Sequence, residues 1–267
     1  MKLGWIDFKY ISTHPVVSRR TRDGGKRINS MDALWYKIGY EVYQHGHVES
    51  PNTDHDLSRS TEDPEAPLIT PETALEHKLD YDVYRSEASE ATSHRHSART
   101  IYDHGLGRTR GEMAHLCSEL RGEHALCETI LFSSDPAALA LLDKSEQVDF
   151  TRDCTATFIE TMYQQCFGIE NVDFSFVLHE KPDRDGRDRL HAHITVAGTY
   201  YDEQTHTRQS MPFVNHEHIT QMQAIADRVV EQELDLYFGR EWRWCFPEYE
   251  KTYQMPSAAL ADVPLDL

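Results

Sequence analysis

The sequence predicts an α+β fold, a central antiparallel β-sheet with flanking helices. Three observations predict it. Apolar residues alternate with period two over 171–180 and again over 190–200. The loop between those segments, KPDRDGRDR, is polar and hairpin-like, so the two strands are expected to lie side by side and antiparallel. Two long stretches, 149–168 and 218–239, carry their apolar residues at helical spacing and so supply helices to cover the sheet.

Taken in order, the chain opens with MKLGWIDFKYIS, where Leu3, Trp5 and Asp7 alternate with Gly4, Ile6 and Phe8 as in a strand. A basic turn around Asp23-Gly24-Gly25 follows, then a helix over 31–46 with Met31, Leu34, Trp35, Ile38 and Val42 on one face. Residues 1–46 are thus a strand and a helix that can join the core sheet. Residues 47–98 are acidic and rich in Ser, Thr and Pro. Such a composition buries too little to repay ordering, so the stretch reads as a largely disordered insertion or linker, with LEHKLDYDVY (75–84) able to form a short element inside it.

From 99 to 250 the pattern is regular enough for a core domain. ETILFSS (128–134) is a strand, and SDPAALALLDK (134–144) begins a helix capped by Ser134 or Asp135 with Pro136 in its first turn. The helix over 149–168 aligns Cys154, Phe158, Ile159, Met162 and Cys166, with Gly168 as its stop. NVDFSFVLHE (171–180) sets Phe174, Phe176 and Leu178 on one face, and Asp173, Ser175, Val177 and His179 on the other. LHAHITVAGTY (190–200) is the next strand, HITQMQAIADRVVEQELDLYFG (218–239) the closing helix, and 251–267 a tail.

Composition narrows the class. No run of 18 apolar residues exists, and the N-terminus lacks a signal-peptide plan, so a soluble, cytoplasmic protein is expected. The five cysteines are scattered without C-x-x-C, which argues against a zinc knuckle or a disulfide framework. The net charge of −18 weighs against phosphate binding, but residues 49–90 alone carry twelve acids against three bases. SRRTRDGGKR (18–27) holds five bases, among them Arg19, Arg20 and Arg22. The acidic balance also suits a high-salt cytoplasm.

Histidines carry the functional signal. A chain with 16 of them forms H-x-H by accident, as at His45/His47, His94/His96 and His216/His218. The pair His191/His193 differs because apolar alternation surrounds it: Ala192, Ile194 and Val196 take the core side, and the imidazoles share the polar side. The preceding strand ends its own polar face at His179, separated from His191 by eleven residues. Antiparallel neighbours bring that end beside the start of the next strand, so three neutral imidazoles converge. Such a set suits a divalent cation with open positions.

A strand ending in His, a polar loop, then His-apolar-His on the next strand resembles the metal site of relaxases. These are mobilisation nucleases of the HUH superfamily that act on single-stranded DNA. The likeness extends from about Arg99 to Trp242, through SARTIYDHGLGRTRG (97–111), SSDPAALALL, the helix opening FTRD, HAHITVAG and LYFGREW, in an order similar to VirD2-like tyrosine relaxases. It implies an HUH endonuclease-like fold in which His179, His191 and His193 hold Mg or Mn. It also implies a tyrosine nucleophile that forms a 5′-phosphotyrosine and frees a 3′-hydroxyl.

The stretch 97–111 makes Tyr102 the expected nucleophile, with Tyr10 and Tyr237 as alternatives and His104 as a group able to assist the phenol. Arg99, Arg108 and Arg110, with Arg19, Arg20 and Arg22, are expected on the DNA backbone. Asp173 and Glu180 are candidates to orient a ligand imidazole. The implied partners are single-stranded DNA at an origin of transfer or replication and accessory proteins of a relaxosome.

Two other readings compete. A catalytically inactive accessory protein of the same fold would bind DNA without cutting it. A two-histidine RNA phosphoesterase would use the repeated His193-Ile194-Thr195 and His218-Ile219-Thr220, although the second opens a helix where Thr220 can serve as a cap.

Overall fold

A computed structural model describes residues 3–13, 71–84, 99–182 and 188–246. Its elements are β1 (Gly4–Ser12), α1 (Pro71–Tyr84), β2 (Ile101–His104), α2 (Arg110–Glu119), β3 (Ala125–Ser134) and the single turn α3 (Pro136–Leu139). There follow α4 (Lys144–Phe167), β4 (Phe174–Pro182), β5 (Asp188–Ala197), β6 (Thr199–Asp202), β7 (Thr207–Ser210), α5 (His216–Phe238) and a 3₁₀ turn at Glu241–Cys245. Five strands form one sheet in the order β1-β3-β5-β4-β2, every neighbouring pair antiparallel. The α+β class and the antiparallel sheet are therefore as the alternation predicts. β6 and β7 form a separate hairpin.

Period-two alternation divides the sheet into two faces with different covers. On the first, Ile6, Ile130, Phe132, Phe174, Phe176, Ala192, Ile194 and Val196 pack against α4 and α5. The apolar stripe of α4 is buried at Phe150, Cys154, Phe158, Ile159 and Met162. α5 approaches β1 so closely that a Cβ on Gly4 would stand 2.6 Å from the Ala226 backbone. Asp227 fastens the same junction, its Oδ1 accepting from the Leu3 and Gly4 amides at 2.9 Å each.

The second face is roofed by α1 and α2. Leu75 and Leu79 of α1 bury with Met113 and Cys117 of α2 and with Ile11, Cys127 and Ala197 beneath. This layer departs from the sequence reading. The polar face of the histidine strands is covered rather than open to water, and its cover includes a helix from within the acidic stretch 47–98. Leu75, Leu79 and Val83 repeat at helical spacing and are each at most 1% exposed, which anchors α1 despite its charged neighbours.

Several boundaries move for local reasons. α4 starts at Lys144, earlier than the apolar stripe indicates, because Asp143 and Glu146 form a capping box upstream of it. Its C-cap is Gly168 in the left-handed region (φ 71°), as expected. Of the two caps considered for α3, Asp135 is the one used, with its side chain accepting from Ala137 N at 2.7 Å. Asn215 caps α5, and Thr220 does not. The helix expected over 31–46, Arg19, Arg20, Arg22 and the 251–267 tail lie outside the described residues.

Candidate metal centre

The site begins with register. β4 and β5 pair so that His179 stands directly opposite His191, and Val177 opposite His193. A side chain shares a face with those two residues away, so all three imidazoles emerge on the α1 side. Each offers one nitrogen, and the three nitrogens lie within 4.8 Å of one another. Ring centroids are 4.2 Å apart for His179–His193, 5.1 Å for His191–His193 and 5.6 Å for His179–His191. His179 is fully buried, and His191 and His193 are 9% and 7% exposed. The convergence expected from the two alternation patterns is present.

α1 closes over this cluster with its last turn. His193 Nδ1 lies 3.2 Å from Asp82 Oδ1. His179 Nε2 donates to the Asp82 carbonyl at 2.6 Å, and Arg99 Nη1 donates to the same oxygen at 3.2 Å. The Tyr81 ring lies against His179 and His193, with centroids 5.7 and 5.5 Å away. Lys78, one turn back, forms an ion pair with Asp82 Oδ2. The carboxylate is thus divided, one oxygen toward Lys78 and the other toward His193. Carbonyls at the C-terminal end of a helix carry partial negative charge, which adds to the attraction this pocket has for a cation.

Protonation follows from those neighbours. Burial acts to raise the Asp82 carboxyl, but the Lys78 ammonium and then His193 outweigh it and hold the group well below the usual carboxylate range. Burial pushes His193 down to about 3, His179 adds to the depression, and Asp82 opposes it. His193 is therefore neutral at physiological pH. With Nδ1 facing an ionised carboxylate, the ring proton belongs there, and Nε2 keeps its lone pair. That Nε2 is buried with no hydrogen-bond partner among the described residues. An orphaned buried acceptor beside two further imidazoles is what a divalent cation satisfies, so the residues fit a metal.

Other expected residues fall elsewhere. Tyr102 pairs with Phe176 across β2 and β4 and stacks on it at 5.0 Å, which puts it on the α4 face, opposite the triad. Residues 176 and 179 differ by an odd number, so the pleat separates them. His104 shares that face, stacked on Phe174 at 4.4 Å, and does not assist at the triad. Tyr10 is 39% exposed and meets Phe213 edge-on at 6.4 Å. Tyr237 packs on Phe150 from α5. None of the three expected tyrosines is beside the histidines.

The acids expected to orient a ligand are also displaced. Glu180 follows His179 immediately, so it points to the other face and pairs with Lys144 at 2.7 Å. Asp173 is on the correct side but six residues away, roughly 20 Å along a strand, and binds Arg208 at 2.6 Å. The carboxylate that lies beside the triad is Asp82. Among the arginines, Arg99 touches the Asp82 carbonyl, whereas Arg110 ties α2 to α1 through Asp80 at 2.9 Å and Glu76 at 3.8 Å. Arg108 is the most open, 85% exposed with Asp103 3.3 Å away. His218 does not pair with His193. It sits in the α5 capping box, where its Nδ1 accepts from Asn215 N, and its ring lies on Phe167 at 4.7 Å.

Lys78, Tyr81 and Asp82 were not anticipated. Their only trace in the sequence is the spacing i, i+3, i+4, on a stripe next to the one that holds Leu75, Leu79 and Val83.

No family model matches the chain, and no curated protein matches it. Among solved structures it is similar to a conjugative relaxase TrwC in complex with oriT DNA, a metal-free structure, and to TrwC complexed with a 27-mer DNA comprising the recognition hairpin and the cleavage site. For each, identity is 14% and the TM-score 0.38, over 52% of this chain. The chain spans 62% of the length of those TrwC chains, and no residue role is carried over from them.

Proposed function

We propose that this protein is a metal-dependent endonuclease that nicks and rejoins single-stranded DNA, in plasmid or viral mobilisation or replication. One observation carries the reading: three buried imidazoles from adjacent antiparallel strands converge, and one presents an unpartnered Nε2. The resemblance of the strand-His, loop, His-x-His pattern to relaxases supplies the reaction class. His179, His191 and His193 would hold Mg or Mn, which when bound supplies Lewis-acid polarisation of a phosphoryl oxygen.

The chain's own groups would do the rest. A tyrosine hydroxyl gives its proton to water as its oxygen attacks phosphorus, the bond to the 3′-oxygen breaks, and that oxygen takes a proton from water to leave as a hydroxyl. The 5′-phosphotyrosine is then reversed by a returning 3′-hydroxyl. Tyr81 is the described tyrosine whose ring lies on the triad, and we assign it the nucleophile's place. Asp82 would hold His193 in the tautomer that offers Nε2. Arg99 and Arg108 are the described arginines placed to meet backbone phosphates.

Incubation with a single-stranded oligonucleotide and Mn²⁺ tests the proposal. A covalent protein–DNA adduct is expected from the wild type and from Tyr102→Phe, and none from Tyr81→Phe or after chelation. An adduct that survives in Tyr81→Phe moves the nucleophile to another tyrosine. Its absence from the wild type, with DNA binding retained, would replace the nuclease by the non-cutting accessory protein.

A further inference from the structure

We infer that Trp5 is a base-stacking residue: it takes the nucleobase beside the phosphodiester that the triad would hold, and so demands that this nucleotide be unpaired. The inference rests on the nuclease reading above. Register supplies the geometry. Trp5 of β1 pairs with Ser133 of β3, Ser133 with His191 of β5, and His191 with His179 of β4. Directly opposed residues share a face, so these side chains form one row on the α1 side of the sheet. Ile11, further along β1 on that side, buries with Leu75, Leu79 and Cys127, whereas Ile6 faces α4 and α5. Only β3 stands between Trp5 and His191, a span of about 10 Å. Its residue in the row is Ser133, the smallest of the set.

The indole is held from behind and partly open in front. Gly4, its neighbour, is fixed against α5: the Gly4 amide donates to Asp227 Oδ1 at 2.9 Å, and the Gly4 carbonyl accepts from Gln223 Nε2 at 2.7 Å. The Leu3 carbonyl accepts from Asp135 N at 2.7 Å. A ring on so fixed a backbone loses little further freedom when a base settles on it. Trp5, Asp7 and Leu131 are half-buried, whereas Ile11 is sealed under the helical roof at 1% exposure. Asp7 alone would repel a passing phosphate, but Lys9 Nζ holds its Oδ2 at 2.8 Å and offsets that charge. A broad aromatic ring beside a neutralised strip suits the flat face of a base, which every nucleotide offers. A base lying on the indole has left its complementary strand, so a duplex at this position is excluded.

The test uses the full chain with Mn²⁺ and two fluorescent probes, oligothymidine and an abasic oligodeoxyribose phosphate of the same length. The wild type is expected to prefer the probe with bases, and Trp5→Leu to lose roughly tenfold of that preference, the worth of one stacked base. Affinity for the abasic probe and for Mn²⁺ should be unchanged, because the substitution leaves the histidines and the phosphate contacts in place. Trp5→Phe, which keeps an aromatic face, should retain most of the preference. A merely structural role would weaken both probes alike.

A folded Trp5→Leu that keeps the wild-type preference, or that weakens both probes equally, overturns the inference, as does a wild type with no preference for bases. If the variant does not fold, ultraviolet cross-linking of the wild type to 5-iodouracil DNA decides. A cross-link at Trp5 supports the inference, and cross-links confined to other residues overturn it. The nuclease reading fails separately, through a wild type that forms no covalent adduct yet loses its base preference in Trp5→Leu.

Discussion

At the scale of single residues, alternation around a histidine decides more than its spacing. His191 and His193 share a face because Ala192 separates them on a buried strand, and His179 meets them because β4 and β5 are in register at 179/191. Removing any one ring, as in His193→Ala, is expected to abolish Mn²⁺ binding in calorimetry, since two nitrogens cannot replace three in a preformed site. A second buried residue makes a pH prediction. Glu128 accepts a hydrogen bond from Tyr163 on the α4 face, and burial raises its carboxyl to about 7, with the Tyr163 bond opposing the rise.

The folded state therefore holds a proton that the unfolded chain releases near the ordinary glutamate value. Stability is highest below that value, falls as pH rises toward 7, and stays low above it. The cost at pH 8 is on the order of 3 kcal/mol. Glu128→Gln keeps an acceptor for Tyr163 and cannot ionise. Urea denaturation at pH 5 and pH 8 should show the variant gaining on the wild type only at the higher pH. An equal difference at both would show that Glu128 does not ionise across this range.

At the scale of elements, α1 forms where the sequence allows a short element, and its place over the histidines is the unexpected part. It contributes Lys78, Tyr81 and Asp82 to the site, yet its anchoring rests on a few apolar side chains in an acidic stretch. Leu79 is fully buried against α2 and touches no metal ligand by role. Leu79→Ala should cost about 2–5 kcal/mol by thermal denaturation, and should weaken Mn²⁺ binding as Asp82 loses its seat. Retention of wild-type affinity would mean that the histidines need no help from α1. Local chemistry explains why this helix was hard to read. It carries four acids from Glu72 to Asp82, the signature of a solvated loop, and only tertiary burial of Asp82 shows that one of them is structural. By contrast α4 was legible through its stripe and Gly168, because both signals are local.

At the scale of the whole molecule, charge sets how nucleic acid can be gripped. Several of the described arginines are engaged by acids: Arg110 by Asp80 and Glu76, Arg152 by Asp149 and Asp153, Arg208 by Asp173, and Arg243 by Glu231 and Asp235. Those four would have to give up an acid to displace counterions from DNA. Single-stranded DNA affinity measured from low to high salt should therefore fall with a shallow slope, equivalent to fewer than about four phosphates. A steep slope would show that basic residues beyond the described ones, such as those of 18–27, dominate the contact. No helix among the described residues is long and apolar enough to cross a membrane.

The sequence by itself determined the α+β class, the antiparallel pairing of the histidine strands and the identity of the three imidazoles. Each follows from period two or period 3.6, patterns that a chain writes locally. Long-range packing alone reveals which acid lies beside His193, which described tyrosine lies beside the triad, and that the histidine face is roofed. Those depend on α1 folding back across the sheet from about a hundred residues upstream, and contacts at that separation leave no period in the chain. The pleat supplied the other decision: Tyr102 is near His179 across the sheet, but an odd residue offset in register sends it through to the opposite side.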